Sequence, residues 1–73
     1  QAGDTDQAYV NFKKALDLGE DSSSLRNNLA VVYAKQGRLE DAVNEGKRAL
    51  KLDPGDQTAR LNLENFRRLL ERK

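Results

Sequence analysis

A chain of 73 residues is one domain at most and too short to bury a sizeable core, so its fold is either simple and helical or supported by a partner. Hydrophobic residues make up 37% and charged residues 34%, which suits amphipathic helices with one buried stripe each, and no apolar run is long enough to cross a bilayer. Neither Cys nor His occurs, which removes disulfides, the usual zinc, haem and iron–sulfur ligand sets and the ordinary bases poised near neutral pH, so no metal or cofactor is expected.

In chain order, the first helix is expected from about Asp4 to Leu18. Asp4 acts as N-cap and Gln7 closes a capping box, and Ala8, Phe12, Ala15 and Leu16 form a buried stripe at helical spacing. Gly19 ends it. Of Ser22, Ser23 and Ser24, no residue has a histidine to make it nucleophilic, so Ser22 or Ser23 is expected to cap the next helix.

The second helix, about Ser24 to Gln36, carries Leu25, Leu29, Val32, Tyr33 and Gln36 on one stripe and Asn27, Val31, Ala34 and Lys35 on a neighbouring face. Gly37 supplies its left-handed stop, and Gly3 marks the same turn earlier in the chain. The third helix, about Leu39 to Leu52, turns Leu39, Ala42, Val43, Gly46, Ala49 and Leu50 inward, with Ala30 and Ala42 small where the two helices cross. Asp53-Pro54-Gly55 breaks it, and Asp56 caps a fourth helix over about Gln57 to Arg72. That helix buries Ala59, Leu63, Phe66 and Leu70, while Arg60, Glu64 and Arg68, and Arg67 and Glu71, recur at four-residue spacing as a solvated, salt-bridge-laced face.

Superimposed on these elements is an internal repeat. At an offset of 34 residues, Gly3, Ala8, Lys13, Ala15, Leu16 and Leu18 fall on Gly37, Ala42, Lys47, Ala49, Leu50 and Leu52, and Arg26, Asn28 and Leu29 fall on Arg60, Asn62 and Leu63. Leu29, Ala30 and Tyr33 stand at the spacing of a Leu-Gly-Tyr motif, Ala42 and Pro54 at its downstream Ala and Pro, and Ala8 and Phe12 form an Ala-Phe pair. In period and motif the chain resembles the tetratricopeptide repeat family over its whole length. Two positions depart from the pattern: Arg26 replaces the leading aromatic and Gly46 the Phe, so a neighbouring side chain should fill the space at Gly46.

The resemblance implies an all-α fold of antiparallel helix-turn-helix repeats with four helices in a single domain over 1–73. In it, 1–22 is the second half of a truncated repeat, 23–56 a complete repeat and 57–73 a capping helix. A further helix upstream is expected, because Ala8 and Phe12 would otherwise lack their mate.

The resemblance also implies a non-catalytic protein-interaction scaffold whose first helices line a concave groove for a peptide or helix. It puts Asn27, Val31, Ala34, Lys35, Thr58, Leu61, Asn65, Arg68 and Leu69 on that surface. One subtype clamps the carboxylate tail of heat-shock chaperones. Asn28 matches a clamp residue, but Thr58 and Asn62 stand where Lys and Arg are needed, which argues against that ligand.

Two alternatives come from elsewhere in the chain. The first is self-association through the apolar N-terminal face, or head to tail through an acidic start (Asp4, Asp6, Asp17, Glu20, Asp21) and a basic end. The second is nucleic-acid binding by Arg60, Arg67, Arg68, Arg72 and Lys73, against which Glu64 and Glu71 interrupt the basic patch in a chain of net charge +1. Adjacent acids such as Glu40 and Asp41 point apart on a helix, so they make no catalytic pair.

Overall fold

A computed structural model describes residues 2–72, with burial described from Thr5 to Arg72. It contains four helices: α1 (Ala2–Asp17), α2 (Ser23–Lys35), α3 (Leu39–Leu52) and α4 (Gln57–Glu71). They pack antiparallel into a slab whose Cα atoms span 34 × 30 × 15 Å. Helix α2 is the centre of this slab. It touches α1, α3 and α4, and α3 also packs on α4.

The connections follow from a few residues. Gly19 and Gly37 have φ of +87° and +79°, the left-handed region in which a Cβ would clash with the backbone. Each closes a Schellman cap. Gly37 N–H donates to Ala34 and Arg38 N–H to Tyr33, as Gly19 and Glu20 do to Leu16 and Ala15, so carbonyls orphaned at each helix end are satisfied. At the third junction Asp53 Oδ1 accepts from Gly55 N–H at 3.1 Å, forming an Asx turn around Pro54. Of the serines, Ser22 is the N-cap, accepting from Leu25 N–H at 3.1 Å.

One start differs from expectation. Helix α1 already runs from Ala2, so Gly3 and Asp4 sit inside its first turn rather than ahead of it. The side chain of Asp4 lies outside the described residues.

The core joins Leu29, Ala30 and Tyr33 of α2, Ala42 and Val43 of α3, and Leu63 and Phe66 of α4. Burying a residue such as Leu29 contributes about 2 kcal/mol through the hydrophobic effect. Ala30 and Ala42 are wholly buried, which lets the α2 and α3 backbones approach closely.

Phe12 and Leu16 of α1 pack on this core from the side and stay half-buried, as does Tyr9. The Tyr9 ring meets Tyr33 edge-on at 5.7 Å, and the Arg38 guanidinium sits 4.5 Å from the Tyr33 centroid on a cation–π contact. Burial, with the Tyr9 hydroxyl adding to it, pushes the Tyr33 phenol above its ordinary range.

The two departures from the repeat pattern each have a structural replacement. A Cβ added at Gly46 would stand 3.1 Å from Leu63 Cδ1 and 3.3 Å from Leu63 Cβ, so Leu63 of α4 occupies the space left by the missing aromatic. Arg26, in the place of the other aromatic, instead reaches across to α3. Its Nε and Nη2 donate to Asp21 at 2.8 and 3.1 Å, and its Nη1 donates to Glu45 Oε1 at 2.9 Å. Arg48 Nη1 donates to the other Glu45 oxygen at 2.6 Å, so this buried carboxylate is held by two guanidiniums.

Candidate partner-binding surface

Two hydrogen bonds set α2 beside α4. Ser23 Oγ, at the start of α2, donates to Asp56 Oδ2 at 2.6 Å, while Asp56 Oδ1 accepts from Ala59 N–H at 3.0 Å and caps α4. These bonds hold the Asp56 carboxyl below the usual carboxylate range, the Ser23 hydroxyl contributing most. One turn further on, Asn62 Nδ2 donates to Asn27 Oδ1 at 3.1 Å. The paired residues lie 33 and 35 positions apart, so the two helices run side by side almost in the register of the sequence repeat.

A tetratricopeptide repeat profile matches residues 1–60, four-fifths of the chain. The chain belongs to this family. Comparisons with curated proteins and with solved structures yield no match. Tetratricopeptide repeats generally mediate protein–protein interactions and are typically non-catalytic. Among the described residues no helix is long and apolar enough to cross a membrane.

The nine residues expected on the groove of this tetratricopeptide repeat chain are not equally available. Asn27 is only 8% exposed, and its side-chain carbonyl accepts from Asn62 across the α2–α4 seam. Val31 and Ala34 are half-buried against the core. Lys35, Thr58, Asn65 and Arg68 are exposed, and Leu61 and Leu69 are 61% and 46% exposed. Asn65, Arg68 and Leu69 come together with Arg72 around a shallow cleft of ≈ 350 Å³. Arg72, at the C-cap of α4, is a lining residue outside those nine, which the sequence marked only as part of the basic end.

The salt-bridge-laced face expected of α4 does not form. Among the described residues none of Glu64, Arg67, Arg68 or Glu71 closes an ion pair, and Arg60 donates to the Pro54 carbonyl at 2.6 Å. Exposed i,i+4 pairs are worth little against the side-chain entropy of holding them. The ion pairs sit elsewhere, at Arg26–Asp21, Arg26–Glu45, Arg48–Glu45 and Arg38–Asp41.

Proposed function

We propose that this chain is a non-catalytic binding module that receives a peptide or helix of a partner protein on the face made by α2 and α4. The observation that carries the reading is the cleft bounded by Asn65, Arg68, Leu69 and Arg72, beside exposed Leu61 and Thr58. An Asn amide can donate to and accept from a peptide backbone at once, and two exposed leucines offer apolar contact where a soluble surface would otherwise be polar. Val31, Ala34 and Lys35 supply the α2 side of the same face, and Asn27 holds its floor. Backbone amide shifts measured on titration with a peptide selected by display should cluster on α2 and α4. Shifts confined to α1 or the outer side of α3 would refute the assignment.

A second reading rests on α1, where Val10 is 51% exposed and Asp6, Gln7, Val10 and Asn11 line a shallow cleft of ≈ 320 Å³. On this reading a second copy covers that face and the module self-associates. Sedimentation velocity over a range of concentrations decides it, since a monomer mass unaltered by Val10→Glu or by concentration removes the idea.

A further inference from the structure

The charges of α4 are sorted by face. At about 100° per residue, Leu69, Thr58, Asn65, Arg72, Leu61 and Arg68 succeed one another within an arc of roughly 100°, and that arc holds no carboxylate. Glu64 and Glu71 fall with Arg60 and Arg67 on the adjoining arc, where Glu64 stands four residues before Arg68 and Glu71 three after it. Helix α2 contains no acidic residue at all, and in the register fixed by Ser23–Asp56 and Asn27–Asn62 its exposed Lys35 lies level with Leu69. The face shared by α2 and α4 therefore carries Lys35, Arg68 and Arg72 and no carboxylate of its own, with Glu64 and Glu71 flanking Arg68 at its edge, in a chain whose net charge is only +1. Among the described residues none of these three cations has an ion-pair partner, whereas Arg26, Arg38 and Arg48 do.

We propose that the segment received on this face is an acidic peptide, with an aliphatic side chain against Leu61 and Leu69 and carboxylates reaching Lys35, Arg68 and Arg72. The inference rests on the partner-binding reading given above. Exposed charge pairs add modest affinity each, but an unpaired single-sign face speeds encounter with acidic segments and rejects basic ones. A nucleic acid fits less well. Sequence-tolerant binding of single strands uses aromatic side chains on which bases stack, and this face has leucines and amides but no aromatic ring.

The test is a selection of random peptides of fixed length displayed against this chain, followed by fluorescence anisotropy on the enriched peptides. The expected winners are net negative and contain Leu, Ile or Val. Their binding weakens with added salt, falls at least about ten-fold in the Arg68→Glu/Arg72→Glu variant, and changes less than about two-fold in Arg60→Glu/Arg67→Glu, which makes the same charge change on the other arc. Circular dichroism verifies that these exposed substitutions leave the helices intact.

Neutral or basic winners that Leu61→Ser/Leu69→Ser abolishes would overturn the acidic preference while leaving the binding face standing. A labelled single-stranded RNA that displaces the peptide and itself depends on Arg68 and Arg72 would overturn the preference in favour of phosphate. Failure to enrich any peptide that depends on α2 or α4 residues would overturn both readings.

Discussion

Leu63 of α4 stands where a Cβ on Gly46 of α3 would have to go, its own Cβ 3.3 Å and its Cδ1 3.1 Å from that point. The Cδ1 can rotate aside, but the Cβ is one bond from the α4 backbone and moves only with the helix. Gly46→Ala gains about 1 kcal/mol of helix propensity, while overpacking a closed site costs about 1–3 kcal/mol. The crowding should win, and urea denaturation should show a net loss of about 1 kcal/mol. In Gly46→Ala/Leu63→Ala the two changes should compensate in part. A more stable Gly46→Ala would mean that α4 shifts freely.

Glu45 is 5% exposed, and its two carboxylate oxygens accept from Arg26 and Arg48. The Asp21 carboxylate, followed by Glu45, raises the Arg26 guanidinium pKa above its usual value. Arg26→Ala leaves Glu45 with the exposed Arg48 alone and should cost about 2–3 kcal/mol, since an uncompensated buried charge is dearer than the pair is favourable. Arg26→Leu/Glu45→Leu removes both charges and should be the more stable of the two variants. A double-mutant cycle giving no coupling would show that the bridge is incidental.

Acid should loosen the junction at Asp56. The carboxyls of Asp56 and Asp21 both sit below the model-peptide value of 3.8, through the Ser23 hydroxyl and the Arg26 guanidinium respectively. Groups with depressed folded pKa values contribute fully above 3.8 and lose that contribution as the pH falls through the folded value. The thermal midpoint should therefore fall on acidification from about pH 5 to about pH 3. Asp56→Asn keeps a capping oxygen but not the charge, so it should be less stable at neutral pH and lose less on acidification. An identical pH slope would exclude Asp56 as a source.

At the α2–α4 seam, Asn27→Ala and Asn62→Ala should each cost about 1 kcal/mol, and the double variant little more than either, because both remove one hydrogen bond. Strict additivity in denaturant titrations would show that the amides have other partners.

Helix positions, core stripe and family were legible in the sequence because each rests on local chemistry: glycine stops, the Asp-Pro-Gly break and an apolar period of 3.6. Leu63 was foreseeable only as some neighbour of Gly46, because which neighbour enters a pit depends on how the helices cross. Thr58, Leu61, Asn65, Arg68 and Leu69 were placed on one surface by the family resemblance, and all five are exposed. The pairing of Asn27 could not be read that way, since it depends on a residue 35 positions away, although that spacing is close to the repeat period. Glu45 gave no sign of burial in a polar stretch of α3. Its only advertisement was Arg26 standing where an aromatic belongs.

The beginnings of α2 and α4 share one carboxylate, with Asp56 Oδ1 closing the first turn of its own helix and Oδ2 taking the hydroxyl of Ser23. Neither end can fray without loosening the other, although they lie 33 residues apart. Fraying of one helix start thereby removes a hydrogen bond from the other, so a single acid group adds to the coupling that the oil between the two units already provides.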